Sequence, residues 1–150
     1  EFMDYRCGYC KRAHVAVEEL IKADGSIRFI VKEFPVLGEA SEMASAFAVA
    51  VKQLHGDNAY KAAHDTLLTF NGEINEKTLG RLAGILGHDA NGVLDHLTNE
   101  TVMNEILETR LLAERLQING TPTFVFDDEL VRGAVSYDTM TSMVAAKRQD

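Results

Sequence analysis

Strand-forming sequence occurs only near the two ends of this chain, and the long stretch between them is helical in pattern. Residues 1–6 and 27–34 carry the β-branched and aromatic side chains that are typical of strands. From residue 41 to residue 116 the apolar positions instead recur at helical spacing. Strand character returns at residues 123–126 and 129–135, which a short turn joins into an antiparallel hairpin.

This order predicts an α/β fold in which a central β-sheet is flanked by helices and interrupted by an all-helical insertion. A helix from about Cys10 to Ala23, ended by Asp24-Gly25, joins the first two strands into a βαβ unit. A last helix runs from Tyr137 to about Lys147 after the capping residue Ser136. We therefore expect residues 1–40 and 117–150 to form the sheet-containing domain and residues 41–116 to form the insertion. The helices predicted in the insertion cover about residues 41–54, 58–70, 76–86, 90–97 and 100–116.

Charge argues against nucleic acid as a partner, and hydropathy argues against a membrane-spanning segment in this sequence. The net charge is −8 and no basic cluster occurs, whereas binding to nucleic acid requires concentrated Lys and Arg. No apolar run approaches the roughly 18 residues that a membrane span needs. The first residues read as a strand already under way, so we expect a longer precursor whose targeting segment lies outside this sequence.

The chain has two cysteines, and they form the sequence Cys7-Gly8-Tyr9-Cys10 at the predicted junction of strand and helix. A disulfide between residues so close closes a very small loop and adds little stability, so the pair is expected to serve chemistry. The unpaired N–H groups and the dipole at a helix N-terminus favour the thiolate form of Cys7. Cys10, one turn further on, is then the more buried, resolving thiol. Oxidation and reduction use the same two residues, so the motif does not choose between them.

Two other interpretations of the cysteine pair stay open at this point. The thiols could be half of a zinc site, with His14 as a third ligand, or they could be unreactive core residues. His14 is otherwise read as a helix-surface residue and the remaining histidines as solvated. The side chains of Met3, Met140 and Met143 are expected to pack in the core rather than to line a peptide groove.

Residues 1–13 and 118–124 carry a resemblance to a known family. The first segment resembles the active-site segment of DsbA-family thiol–disulfide oxidoreductases, most closely the bacterial outer-membrane and copper-sensitivity-suppressor branch. The second, which includes Thr121-Pro122, is similar to the cis-proline loop of that family. The resemblance implies a thioredoxin-like fold, with no cofactor and no metal ion.

The resemblance also implies roles for individual residues. Cys7 would be the catalytic nucleophile, Cys10 the resolving cysteine, and Glu1 a buried acid that exchanges a proton with Cys10, with Lys32 as a possible partner of Glu1. Pro122 would follow a cis peptide bond, and Thr121, Pro122 and Tyr9 would contact an extended substrate segment.

The implied function is protein disulfide oxidation or isomerisation in the periplasm or another extracytoplasmic compartment. The partners would be unfolded or partially folded polypeptides with thiols or disulfides, and a redox protein that resets the cysteine pair. One alternative is a thioredoxin-fold chaperone or a copper- or zinc-binding protein that uses the same cysteines. A glutathione-dependent enzyme is a weaker alternative, because such enzymes usually replace the second cysteine.

Overall fold

The computed structural model of the chain describes residues 1–149, which form four strands and seven helices. In chain order the elements are β1 (Phe2–Met3), α1 (Gly8–Asp24), β2 (Lys32–Glu33), α2 (Glu39–His55), α3 (Asp57–Thr69), α4 (Glu76–Ile85), α5 (Ala90–His96), α6 (Glu100–Arg115), β3 (Thr123–Phe126), β4 (Glu129–Arg132) and α7 (Tyr137–Lys147). The α/β class and the helical block in the middle of the chain are confirmed. The division of the chain into two domains at residues 41 and 116 stays a prediction.

The sheet has the strand order β2-β1-β3-β4. β1 and β2 are parallel, with Phe2 opposite Lys32 and Met3 opposite Glu33, as the predicted βαβ unit requires. β1 pairs antiparallel with β3, and β3 with β4 forms the predicted hairpin. The central strand β1 therefore lies between the strand that precedes the helical block and the strand that follows it.

The strand predicted over residues 27–34 is wrong for most of its length, because only Lys32–Glu33 pair in the sheet. The neighbouring strand β1 has two residues and offers no ladder for residues further upstream. The apolar side chains of Ile27 and Phe29 instead pack against the core between α1 and α7. The carbonyl of Ile30 accepts a hydrogen bond from the amino group of Glu1 at 2.8 Å. The strand-like composition of this segment thus reflects burial of its side chains rather than pairing of its backbone.

Two further strand predictions were too long. The first strand covers Phe2–Met3 instead of residues 1–6, because the chain turns at Asp4 to enter α1. The last strand ends at Arg132 instead of residue 135, because Gly133 has a φ of 88° and its N–H turns to the carbonyl of Pro122 at 2.8 Å.

The helices of the middle block follow the predicted bounds within two residues at each end. Helix α1 also ends where Asp24-Gly25 predicted, since Gly25 adopts φ 70° and donates its N–H to the carbonyl of Ile21. No helix within residues 1–149 has the length and apolarity that crossing a bilayer requires.

The largest part of the core joins the helical block to the cysteine pair. Met3, Tyr5, Cys7 and Cys10 belong to the same buried cluster as the central part of α2. Nine residues of α2 are buried, which makes it the most enclosed helix among the described residues. The helices inserted between β2 and β3 therefore form one wall of the region around the cysteines. A second cluster packs α1 and α7 against the opposite part of the sheet.

Candidate active site

Cys7 is the N-cap residue of α1, directly after the turn that ends β1. Its backbone N–H donates to the carbonyl of Asp4 at 3.1 Å, and its Sγ atom accepts the N–H of Cys10 at 3.4 Å. The sulfur thus lies at the positive end of the helix, where backbone N–H groups stabilise a thiolate. Both cysteines are free thiols in this structure. The predicted position of the motif at a strand-to-helix junction is confirmed.

The two cysteines differ in their surroundings. Cys10 is 1% exposed, whereas Cys7 is 7% exposed and adjoins the exposed residues Gly8 and Tyr9. Burial raises the pKa of Cys10 well above that of a free thiol, and a hydrogen bond with the backbone of Asp4 offsets only part of this rise. Burial thus favours the protonated form of Cys10, and Cys7 is the more accessible of the two cysteines.

The loop that contains Thr121-Pro122 lies against Cys7. The Thr121–Pro122 peptide bond is cis, and the carbonyl oxygen of Thr121 lies 3.4 Å from the Sγ atom of Cys7. Strand β3 fixes this loop, because Thr123 pairs with Phe2 on β1 and its hydroxyl donates to the carbonyl of Gly120 at 2.8 Å. The sheet thus brings together two segments that are 114 residues apart in sequence.

A buried carboxylate that sequence reasoning missed holds the turn before Cys7. Asp4 is fully excluded from solvent and accepts four hydrogen bonds. Its Oδ1 atom accepts the N–H of Arg6 and the hydroxyl of Ser41, both at 2.8 Å. Its Oδ2 atom accepts the N–H groups of Val36 and Leu37, at 2.8 and 3.1 Å. Asp4 therefore fastens the active-site turn to the loop after β2 and to the start of α2.

A second buried carboxylate, also missed, lies on β2. Glu33 accepts hydrogen bonds of 2.6 Å from the hydroxyls of Tyr5 and Tyr60 and one of 2.7 Å from Ser45. Burial raises the pKa of Glu33 to about 7, although these three donors favour its charged form. The available signal was an acid within a short apolar strand, but its partners lie on α2 and α3 and could not be read from the sequence.

Glu1 lies at the edge of a cavity of about 330 Å³ that Lys32 and apolar residues of the sheet, α1 and α7 also line. Burial raises the pKa of Glu1 to about 7. Glu1 and Lys32 meet through the backbone, where the N–H of Lys32 donates to the carbonyl of Glu1 at 2.7 Å. Among residues 1–149, the Glu1 carboxylate makes no hydrogen bond to either cysteine and no ion pair with Lys32. Its assignment as a proton carrier stays a prediction.

Tyr9 projects from the first turn of α1 and is 61% exposed. The guanidinium group of Arg12 lies 4.3 Å from the centre of its ring. Lys11 instead reaches across to the end of α3, where its ammonium group contacts the carbonyl of Phe70 and lies 3.4 Å from the Oδ1 atom of Asn71. Lys11 thus contacts the end of α3, and Arg12 contacts the ring of Tyr9. The ring remains largely exposed beside Cys7.

His55 is exposed, as expected, and His88 and His96 are half-buried, but His64 and His14 depart from expectation. His64 is not solvated but 2% exposed, because α3 packs it against the buried Tyr5. The side chain of His14 is 11% exposed and faces α3, with its ring centre 5.6 Å from that of His64. Met3 and Met140 are fully buried, so their interpretation as core residues is confirmed, whereas Met143 is only half-buried and belongs to no core cluster among the described residues.

Three solved structures are similar to this chain over nearly its whole length. A thioredoxin-like oxidoreductase from Silicibacter pomeroyi DSS-3 is 35% identical, with a TM-score of 0.93 over 100% of this chain and 85% of that chain. The thiol-disulfide exchange protein alpha-DsbA2 from Wolbachia pipientis is 29% identical, with a TM-score of 0.88 over 97% of this chain and 78% of that chain. A periplasmic thioredoxin-like protein from Salmonella enterica serovar Typhimurium is 26% identical, with a TM-score of 0.86 over 99% of this chain and 82% of that chain.

Among curated proteins, the chain is similar to part of a much longer one. It is 27% identical over 144 residues to the Na(+)/H(+) antiporter NhaA 3 of Salinispora tropica. The match covers 96% of this chain and 22% of the antiporter, so the chain spans about a fifth of the length of this relative.

The family match agrees with the geometry of the cysteine pair and the cis-proline loop. The model of the family described as DSBA-like thioredoxin domain matches residues 1–145, which include both segments. The chain belongs to the DSBA-like thioredoxin domain family.

Proposed function

We propose that the chain is a thiol–disulfide oxidoreductase that exchanges disulfides with secreted polypeptides through Cys7 and Cys10. The observation that carries this proposal is the position of the Cys7 sulfur, 3.4 Å from the N–H of Cys10 and 3.4 Å from the carbonyl oxygen of Thr121. The Cys7 sulfur thus lies between the backbone N–H of Cys10, which stabilises a thiolate, and a backbone carbonyl that can align a substrate.

In substrate oxidation, a substrate thiolate attacks the Sγ atom of Cys7 in the Cys7–Cys10 disulfide. The bond between the two cysteines breaks, Cys10 leaves as a thiolate and takes up a proton, and a mixed disulfide forms at Cys7. A second substrate thiolate then attacks the substrate sulfur of this mixed disulfide and releases Cys7. Two electrons pass from the substrate to the cysteine pair, and a redox partner protein removes them to restore the disulfide. Because burial favours the protonated form of Cys10, this thiol returns only slowly to attack the mixed disulfide.

Thr121, Pro122 and Tyr9 are proposed to bind the substrate. Backbone groups beside the cis bond would pair with an extended segment of the polypeptide, which suits unfolded substrates of varied sequence. The exposed ring of Tyr9 would cover apolar side chains on either side of the reacting cysteine. Glu1 is retained in the proposal as a proton carrier for Cys10.

The compartment is proposed to be the periplasm or another extracytoplasmic space. The similarity to a periplasmic thioredoxin-like protein and to a thiol-disulfide exchange protein supports this placement. Disulfide chemistry on secreted chains also requires an oxidising environment.

The test is oxidation of a reduced dithiol peptide by the oxidised protein. Wild-type protein should form the peptide disulfide, whereas C7S and C10S should both be inactive because neither can form the Cys7–Cys10 disulfide that acts as the oxidant. Full activity of C7S would refute the proposal. The reduction potential of the pair then separates the directions: a value above about −180 mV indicates an oxidase and one near about −270 mV a reductase. Refolding of scrambled ribonuclease tests isomerisation.

Copper or zinc binding by the cysteine pair is less well supported. Within the described part of the chain, neither cysteine belongs to a group of three potential metal ligands. His14, which could have been a third ligand, faces α3 instead.

A further inference from the structure

Three potential metal ligands converge where α1 packs against α3. His14 comes from α1, and His64 and Asp65 are consecutive residues of α3. Their ligand atoms lie within 4.8 Å of one another, and the Nε2 atom of His14 is 3.5 Å from the Oδ1 atom of Asp65. Two ligands of a tetrahedral zinc ion with bonds of about 2.0–2.1 Å are themselves about 3.4 Å apart. The pair of His14 and Asp65 is thus already at coordination spacing, and His64 needs a shift of at most about 1.4 Å to join it.

The hydrogen bonds of His64 prepare it for such a role. The hydroxyl of Tyr5 donates its single proton to Glu33, so its oxygen can only accept the Nδ1–H group of His64, at 3.0 Å. This fixes the ring in the tautomer whose Nε2 atom carries a free lone pair. Metal-binding histidines typically have this arrangement, with the second nitrogen bound to an oxygen that orients the ring.

Lys61 already forms an ion pair with Asp65, but Lys61 also has a second partner, Glu18. The ammonium group of Lys61 lies 2.5 Å from Asp65 and 2.9 Å from Glu18. Lys61 is half exposed, and exposed ion pairs of this kind contribute little to stability. A divalent ion can therefore displace Lys61 from Asp65 while Lys61 keeps its contact with Glu18.

We propose that His14, His64 and Asp65 form a binding site for a divalent transition-metal ion, with Zn²⁺ as the ion that best fits two imidazoles and one carboxylate. The three residues leave one position of a tetrahedral ion for water. The site is separate from the cysteine pair, and it would link α1, whose N-cap residue is Cys7, to α3 of the helical block. Binding of Zn²⁺ should therefore stabilise the packing of these two helices.

The experiment titrates Zn²⁺ into a C7S/C10S double variant of the full chain by calorimetry, so that no thiolate can contribute. One Zn²⁺ ion per chain is expected. H14Q and D65N, introduced separately into this background, should each weaken binding by about tenfold or more, and Y5F should weaken it through the orientation of His64. His96 is half-buried on α5, outside the proposed site, and its Nε2 atom lies 3.0 Å from the Oε1 atom of Gln53, so H96Q is the control variant and should bind as tightly as the parent.

Visible absorption of bound Co²⁺ provides a second readout, which reports the coordination geometry of the metal ion directly. Co²⁺ bound to the same variant should show the visible absorption of a tetrahedral ion, and H14Q and D65N should abolish it. No binding of Zn²⁺, or binding that H14Q and D65N leave unchanged, would overturn the proposal. Disulfide exchange is measured separately on the wild-type protein, so the metal site and the proposed function can fail independently.

Discussion

The hydroxyl group of Tyr5 donates a hydrogen bond of 2.6 Å to the carboxylate of Glu33, and both side chains are buried. Tyr5 lies two residues before Cys7, and Glu33 lies on the neighbouring strand β2. Tyr60 and Ser45, on α3 and α2, donate to the same carboxylate. One acid thus connects the sheet, the turn before the active site and the helical block.

The first prediction concerns the pH dependence of stability that Glu33 causes. Its pKa is raised from 4.5 to about 7 in the folded chain, so the folded state binds this proton more tightly than the unfolded state does. The contribution of Glu33 to the free energy of unfolding should therefore fall as the pH rises from about 4.5 to about 7, by about 3 kcal/mol. E33Q removes this titration. Urea denaturation at about pH 5 and about pH 8 should show E33Q gaining stability relative to wild type at the higher pH.

Two other groups, Glu1 and His64, also change the stability in this pH range and must be separated from Glu33. Glu1 has a pKa raised to about 7 by burial, so E1Q should show a change of the same sign. His64 has a pKa lowered to about 4, so its contribution to stability grows as the pH rises from about 4 to about 6.5 and opposes that of Glu33. The difference between wild type and E33Q isolates Glu33 because His64 is present in both proteins. A difference that is independent of pH would contradict the prediction.

The second prediction is that Asp4 positions the active-site turn. In D4N one carboxylate oxygen becomes an amide NH₂ group, which must face either the N–H groups of Val36 and Leu37 or the donors from Arg6 and Ser41. Two partly buried donors then lose their acceptor, and the free energy of unfolding should fall by about 2 kcal/mol. Oxidation of a dithiol peptide should slow even under conditions in which the variant is fully folded.

S41A is the graded control for D4N. It removes one of the four donors and leaves the carboxylate intact, so the cost should be about 1 kcal/mol. An equal decrease in the free energy of unfolding for S41A and D4N would show that the charge of Asp4 does not hold the loop.

The helices of the middle block and the position of Cys7 could be predicted from the sequence, because local sequence patterns determine them. The helices of the middle block follow from periodic apolar residues and terminal Gly and Asn residues, and the position of Cys7 follows from the change of pattern at the motif. The resemblance located the loop at Thr121-Pro122. These signals depend on neighbouring residues alone, which is why they were readable.

The polar network could not be predicted, because its partners are brought together only by packing. Glu33 meets Tyr60 from 27 residues away, and Tyr5 meets His64 from 59 residues away. His64 has no local feature that distinguishes it from a solvated histidine, so its burial was missed. The strand prediction for residues 27–31 was wrong for a different reason. The segment has the composition of a strand, but no partner strand extends beside it.

The third prediction concerns the unequal reactivity of the two thiols. Burial raises the pKa of Cys10 and leaves it 1% exposed, so iodoacetamide should modify Cys7 at least about tenfold faster in the reduced, folded protein. Mass spectrometry of peptides after brief labelling measures the ratio. In urea the two residues should react at similar rates, which controls for intrinsic reactivity. Faster modification of Cys10 in the folded protein would reverse the assigned roles.

The fourth prediction assigns substrate contact to Tyr9. Because its ring is largely exposed and its main neighbour is the guanidinium of Arg12, Y9A should change the free energy of unfolding by less than about 0.5 kcal/mol. It should lower kcat/KM for a reduced unfolded protein about fivefold, which corresponds to about 1 kcal/mol of lost apolar contact. The rate with dithiothreitol, which is too small to cover the ring, should stay unchanged. I85A, which truncates an equally exposed apolar residue at the end of α4, should alter neither rate. An equal loss with both substrates would mean that Tyr9 acts on the cysteine pair itself rather than on binding.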